Sequence, residues 1–171
     1  EYIGNFRAGS NPVAFCEGGF YGGNLKPDDK IAPILKSSTI SFGYTALNEL
    51  QELYNGKSIR EDGKFALEVM EYINKKIDEY KEEDDILYAI YGTPAETLIS
   101  KQVKQFKAKY GIIPKVSDRE YFTNSFHDGV WEDITQIEKQ DDEKRFWSLS
   151  NGGKIQYCRY PVKYNKEAIK T

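Results

Sequence analysis

The sequence predicts an α/β fold built on a mostly parallel sheet. Short apolar runs alternate along the chain with segments whose apolar residues recur at helical spacing, which is the pattern of successive βαβ units. Residues 86–91 form an unbroken apolar run, as is typical of parallel strands that are buried on both faces. The predicted strands are separated by the dozen or more residues that parallel crossover connections need.

The first predicted elements lie before residue 43. Residues 11–15 are a short apolar run, which predicts a strand leading into a glycine-rich loop at 17–24. Residues 28–36 predict a short helix, which we expect to be broken because Pro33 stands near its middle. Residues 39–42 predict a brief strand.

Two helices and a buried strand follow. Residues 44–55 predict a helix that ends at Gly56, a residue that favours the left-handed conformation of a helix end. Residues 64–81 have the clearest helical periodicity of the chain, and residues 86–91 predict the buried strand. The side chains expected to face inward are Leu47, Leu50, Leu53 and Tyr54 in the first helix and Phe65, Val69, Tyr72, Ile73, Ile77 and Tyr80 in the second.

The remaining elements complete a count of about five strands. Residues 95–110 predict a helix that ends at Gly111, and residues 121–126 predict a strand. Residues 143–149 predict a helical fragment that stops at the following Asn-Gly-Gly turn. Residues 155–160 predict a strand closed by a proline, and a last helix is expected to begin at Lys166.

Length and composition place the chain among globular proteins. It has 171 residues, of which 30% are charged and 39% are hydrophobic, so residues 1–171 are expected to form one domain or a large part of one. The first residue is not Met and no signal-peptide pattern follows it. We therefore expect the chain to start inside a longer gene product that stays in the reducing cytoplasm.

Charge and cysteine content exclude several function classes. The net charge of −3 argues against direct binding of nucleic acid or of an anionic membrane surface, and no apolar run approaches the ~20 residues of a membrane span. Cys16 and Cys158 are the only cysteines, and His127 is the only histidine. A four-cysteine zinc site, a zinc finger and a three-histidine metal site are thus excluded, and we predict no metal site in the chain.

The segment 91–98 is the most informative for chemistry. A predicted strand ends, Gly92 turns the chain, and Thr93 followed by Pro94 and Glu96 has the pattern of a capping box with proline at the first helical position. One interpretation is that this segment only starts a helix. The other is that the helix start, at the end of a parallel strand, binds phosphate. The predicted phosphate-binding residues are Thr93, Ala95, Glu96 and Thr97, through backbone N–H groups and the Thr97 hydroxyl.

A second candidate is the segment 121–127, which gathers polar side chains at a predicted strand end. Asn124, Ser125 and His127 could form part of an active-site wall. The spacing of Ser125 and His127 does not by itself make a nucleophilic dyad, because no acid that would orient the histidine is identified. The alternative is a polar strand end whose side chains satisfy local backbone groups.

Six segments, taken together, resemble the C-terminal half of the catalytic barrel in the anaerobic (class III) ribonucleoside-triphosphate reductases. Each segment alone is a weak signal, but the six occur in the family's order with similar spacing, and the resemblance runs from about residue 11 onward. The segments are residues 41–44, 91–98, 109–114, 116–121, 123–127 and 151–157.

The resemblance implies a ten-stranded α/β barrel made of two five-stranded parallel halves, of which this chain would be roughly one. It implies that the complete enzyme uses radical chemistry to replace the 2′-hydroxyl of a ribonucleoside triphosphate with hydrogen. In the family a glycyl radical activates a cysteine, and the loop that matches residues 93–98 holds the substrate phosphates. The implied partners are the rest of the reductase chain, the ribonucleoside triphosphate, a radical-generating activase and further copies of the complete enzyme.

The chain also departs from the family pattern. It contains neither the glycyl radical segment, nor the four cysteines of the structural zinc site, nor the regulatory nucleotide domain, so the resemblance places radical and zinc outside these residues. The radical cysteine is not matched by Cys16 or Cys158, and we assign no catalytic residue. We expect the chain to be inactive alone. The alternative functions are a free-standing nucleotide- or phosphate-binding α/β module without redox activity and a purely structural fragment.

Overall fold

The computed structural model describes residues 2–17, 23–158 and 167. Helices and strands are mixed along the chain, and the predicted α/β class is confirmed. The described residues also include short 3-10 turns at Ile3–Asn5, Ala8–Ser10 and Lys144–Phe146. The helices are α1 (Pro12–Phe15), α2 (Ala32–Leu35), α3 (Leu47–Asn55), α4 (Lys64–Asp84), α5 (Leu98–Tyr110) and α6 (Gln136–Glu143), and the strands are β1 (Thr39–Tyr44) and β2 (Leu87–Gly92).

The two strands form a small parallel sheet. On this sheet Gly153 makes an isolated parallel bridge to Tyr91, and the N–H of Gly92 donates to the carbonyl of Gly153 at 3.0 Å. Gly43 allows a close approach, because a Cβ there would lie 2.8 Å from the Tyr91 ring. About five strands were expected, and the described residues contain these two, so the half-barrel stays a prediction.

The chain divides into two compact units, Glu1–Phe42 with Lys75–Ala89 and Gly43–Asn74 with Ile90–Thr171. In the first unit the N-terminal segment is held by backbone hydrogen bonds, from Ala8 N to Asp29 O at 2.9 Å and from Ile31 N to Phe6 O at 3.0 Å. In the second unit a contiguous apolar core joins α5 to the following loop. That core consists of Ile99, Val103, Val116 and Phe122.

The prediction of a strand at residues 11–15 is wrong. Asn11 caps helix α1 by accepting from the N–H of Ala14, and Pro12 occupies the first helical position, so Asn-Pro is a helix start here. Helix α2 is shorter than the predicted helix at 28–36. It begins at Ala32, so Pro33 lies in its first turn rather than near its middle. The predicted glycine loop falls partly outside the described residues, since residues 18–22 are not described.

Helices α3 and α4 exist as predicted, but α3 buries a different face. It begins at Leu47, because residues up to Tyr44 belong to β1, and Gly56 ends it in the left-handed conformation as expected. Of its predicted inward side chains only Leu47 is buried, whereas Leu50, Leu53 and Tyr54 are exposed. In α4 the side chains of Tyr72 and Tyr80 are likewise exposed. The α3 face that is buried instead consists of Leu47, Asn48, Glu49, Gln51 and Glu52.

Two further predictions in the C-terminal third are wrong. Residues 121–126 form no strand, and residues 111–135 contain neither helix nor strand. Residues 155–158 are not a strand either, while 159–160 and the helix expected from Lys166 lie outside the described residues. The helix fragment predicted at 143–149 is the end of α6 and a 3-10 turn, and the strand predicted at 86–91 is confirmed as β2.

Candidate functional site

The second unit contains a cavity of about 350 Å³. The loop that follows α5 supplies most of its wall, and Tyr157 and Cys158 contribute from the C-terminal segment. Phe122 and Trp131 give the wall an aromatic character. The Trp131 indole lies so close to the backbone that a Cβ on Gly129 would be 2.2 Å from it, so glycine is required there. An apolar cavity with a few polar groups is typical of a ligand site.

Three of the predicted site residues meet at this cavity. Glu96 from the predicted phosphate loop lines it, together with Asn124 and His127 from the predicted active-site wall. Ser125 lies elsewhere: it packs against the end of β2, where a Cβ on Gly92 would come within 3.1 Å of it. Of the predicted phosphate loop only Glu96 lines the cavity, whereas Thr93, Ala95 and Thr97 do not. Glu96 and Asn124 meet there although they are 28 positions apart in the sequence.

The loop before α5 differs from the predicted capping box. The helix begins at Leu98 with Thr97 as the N-cap, and no side chain caps it. Thr93 and Glu96 therefore do not form the predicted capping box. The backbone turns at Ala95, whose φ is +37°, and among the described residues the N–H groups of Ala95, Glu96 and Thr97 have no acceptor. These unpaired donors precede the positive end of the α5 dipole.

Backbone and side-chain contacts fix the loop that carries Asn124 and His127. The first N–H groups of α3, from Ala46 and Leu47, donate to the carbonyls of Thr123 and Ser125 at 3.0 and 3.3 Å. The buried Glu49 carboxylate accepts from Thr123, at 3.0 Å from its N–H and at 2.7 Å from its hydroxyl. Burial raises the pKa of Glu49, although the Thr123 donors act against this shift.

A second buried carboxylate, Glu143 of α6, collects donors from the other side of the loop. It accepts from His127 Nδ1 at 3.2 Å, from Asp128 N at 2.9 Å and from Gln156 Nε2 at 2.5 Å. Lys139 Nζ, one helical turn earlier, pairs with the same carboxylate. Burial is the largest influence and acts to raise the pKa of Glu143, but the His127 and Lys139 groups outweigh it and hold that pKa below its usual range.

Two side chains at the cavity carry acceptor oxygens that have no donor among the described residues. Both carboxyl oxygens of Asp128 are buried without a hydrogen bond, and so is the amide oxygen of Asn124. Burial, followed by the nearby Asp142 carboxylate, raises the pKa of Asp128 to about 7. An unpartnered buried carboxyl is stable only when protonated or when a ligand donates to it.

Sequence reasoning missed Asp128, Lys139, Glu143 and Gln156. One signal was available, because Thr135 and Glu138 form a true capping box at the start of α6, and this predicts a helix with Lys139 and Glu143 one turn apart. Nothing in the sequence shows that Glu143 is buried. Among the described residues no group of three or more His, Cys, Asp or Glu side chains could hold a metal ion, and no described helix could cross a bilayer.

Comparisons with known proteins agree on one family. The family model described as "Anaerobic ribonucleoside-triphosphate reductase" matches residues 2–171. Proteins of that name are similar to the chain in Salmonella typhimurium, at 32% identity over 92% of the chain, and in Escherichia coli, at 31% over 92%. The corresponding phage T4 protein is 35% identical over 88% of the chain. The chain spans 23% of the length of the two bacterial relatives and 24% of the phage protein.

Proposed function

The chain belongs to the anaerobic ribonucleoside-triphosphate reductase family, and from that membership we propose that it forms part of the substrate-binding wall of such a reductase. The complete enzyme reduces ribonucleoside triphosphates to deoxyribonucleotides, and this segment contributes the loop that holds the substrate phosphates. The observation that carries the proposal is the meeting of Glu96, Asn124 and His127 at one cavity. The chemistry takes place only when the rest of the reductase is present.

The loop 93–97 holds the phosphates through its backbone. The N–H groups of Ala95, Glu96 and Thr97 donate to phosphate oxygens, since they have no acceptor among the described residues. The dipole of α5 and the Thr97 hydroxyl add to this attraction. Thr93 follows the end of β2 and begins this loop. The dipole contributes on the order of 0.5–2 kcal/mol, so phosphate binding is weak until the rest of the barrel excludes water.

Asn124 and His127 form the wall of the same site, whereas Ser125 packs against the end of β2. The Asn124 amide oxygen has no partner among the described residues, so it is available to a hydroxyl or amine donor of the substrate. Loop 121–128 is held on one side by Glu49 and on the other by Glu143. The wall is thereby fixed before a substrate binds, which lowers the entropic cost of binding.

The remaining parts of the reaction lie outside these residues. Family membership implies glycyl radical chemistry, and we place both the glycyl radical and a structural zinc elsewhere in the complete enzyme. The described residues offer no cluster fit for the zinc. The partners in this proposal are the remainder of the reductase chain, a radical-generating activase and further copies of the enzyme, all in the cytoplasm. Every role assigned to this chain is therefore substrate binding and orientation.

The test is nucleotide affinity in the complete reductase carrying Ala95→Glu. Ala95 packs against the apolar core beside the loop, so a glutamate there brings a negative charge to the N–H groups that hold the phosphates and displaces the loop. We expect the Kd for the ribonucleoside triphosphate to rise about tenfold or more, as for an unfavourable free energy of about 1.4 kcal/mol. The matched control is Ala108→Glu, the same change at an exposed position of α5, which leaves the Kd unchanged. Equal affinities for Ala95→Glu and the unmodified enzyme would show that this loop only starts a helix.

A further inference from the structure

Glu143 is buried behind the cavity rather than in its wall. Its side chain is about 1% exposed, and it is absent from the residues that line the cavity. Four donors nevertheless converge on its carboxylate, from His127, Asp128, Lys139 and Gln156. They come from three parts of the second unit: the loop after α5, α6 itself, and the C-terminal segment.

The groups bound to Glu143 are the ones that form the wall. His127, Asp128 and Lys139 line the cavity. Gln156 immediately precedes Tyr157 and Cys158, which also line it. A single carboxylate thus ties two wall segments to α6. Hydrogen bonds to a buried charged group are worth more than neutral ones, and removing the charge leaves the donors unsatisfied.

We propose that Glu143 is a positioning residue of the cavity, which holds the His127 loop and the segment carrying Cys158 in their places in the wall. Glu143 touches no ligand and acts through the residues bound to it. That these residues face a nucleotide rests on the proposed function, whereas the positioning itself is a property of the wall and can be measured without substrate.

Cys158 is the reporter of this positioning. Its thiol lies at the cavity and accepts from Gln140 Nε2 of α6 at 3.2 Å. If the segment leaves α6, the thiol becomes more accessible to an alkylating reagent. Cys16, in the other unit, is the internal reference, because it makes no contact with Glu143. Alkylation of each cysteine is followed by mass spectrometry of its peptide.

The experiment compares the complete reductase with its Glu143→Gln variant under native conditions, using iodoacetamide. We expect Cys158 to react about tenfold faster in the variant, because losing a buried charged acceptor lowers the free energy of local opening, while the Cys16 rate is unchanged. The matched control is Asp141→Asn, on the same helix, whose exposed carboxylate pairs with Lys144. It leaves both rates unchanged.

A second variant removes a single donor and keeps the charge. Gln156→Leu breaks only the bond to Glu143 Oε2, and we expect it to accelerate Cys158 severalfold. The proposal is overturned if neither variant accelerates Cys158, or if Cys16 accelerates with it, since Glu143 would then support the fold as a whole. Unfolding of a variant gives this second result.

Substrate kinetics separate the positioning role of Glu143 from the proposed substrate-binding function of the chain. If the cavity binds the nucleotide, Glu143→Gln raises KM and lowers kcat, and Ala95→Glu also weakens binding. If Cys158 is alkylated faster but neither Glu143→Gln nor Ala95→Glu changes the kinetics, Glu143 positions a wall that does not bind the substrate. In that case only the proposed function fails. If Ala95→Glu weakens binding and the Cys158 alkylation rate is unchanged in both Glu143→Gln and Gln156→Leu, only the positioning role fails.

Discussion

Asp128 shows how one buried carboxyl makes stability depend on pH. It is 2% exposed, and neither oxygen accepts a hydrogen bond from a donor among the described residues. Burial, and then the Asp142 carboxylate, raise its pKa to about 7, so the folded chain holds this proton across a range in which the unfolded chain has released it. Since the folded state binds more protons there, this group stabilises the fold below about pH 4 and that contribution is lost as the pH rises toward 7.

Asp128→Asn should remove this pH dependence. The amide stays neutral at every pH, so we expect the variant to keep between pH 4 and 7 the stability that the unmodified chain loses, a difference on the order of a few kcal/mol. The measurement is the free energy of urea unfolding across this range. Asp133→Asn, at an exposed position, is the control and should follow the unmodified chain. Parallel curves for Asp128→Asn and the unmodified chain would contradict the prediction.

At the scale of elements, α3 is a helix whose buried face is mostly polar. Each of three side chains on it accepts from the backbone of another segment. Asn48 accepts from Ile59 N at 2.9 Å, Gln51 accepts from Ala66 N at 3.0 Å, and Glu49 binds the loop at Thr123. Gln51 thereby satisfies an N–H in the first turn of α4, a role that a side chain within α4 would ordinarily fill.

A reciprocal exchange on α3 tests this arrangement. Hydrophobicity alone predicts that Gln51→Leu is harmless and that Leu53→Gln is damaging. The structure predicts the opposite, because Gln51→Leu leaves the buried N–H of Ala66 without an acceptor and should cost about 1–3 kcal/mol. Leu53 is 47% exposed, so Leu53→Gln should change stability by less than about 0.5 kcal/mol. The denaturant midpoints of the two variants show which substitution destabilises the fold more.

Elements with local signals were predictable, and those held by distant partners were not. Gly56 ends α3, the periodicity of 64–81 predicts α4, and the apolar run before Gly92 predicts β2. Each of these signals lies in neighbouring residues of the sequence. Residues 121–126 have strand composition, but their polar groups bind α3 instead of a neighbouring strand. The site follows the same rule: Glu96, Asn124 and His127 were predicted from short motifs, whereas Glu143 depends on contacts that no motif records.

At the scale of the whole molecule, belonging to the reductase family does not mean that the chain carries every part needed for the activity. The family match covers residues 2–171, yet the chain spans only 23–24% of the length of its bacterial and phage relatives. We propose that the segments it shares with the family serve to hold a substrate. Its two cysteines are Cys16 and Cys158, and the resemblance matches neither to the cysteine that carries the radical.

The 171-residue polypeptide alone should therefore not reduce ribonucleoside triphosphates. Binding and orientation lower a barrier only when the group that reacts is also present, and we place the radical outside this chain. The measurement is deoxyribonucleotide formation under anaerobic conditions with activase and reductant, with the complete reductase as the positive control. Product formed by the purified polypeptide, with no other reductase segment present, would mean that a residue within these 171 carries the radical. In that case Cys16→Ser and Cys158→Ser would be compared first, because a thiol is the group that the family's chemistry requires.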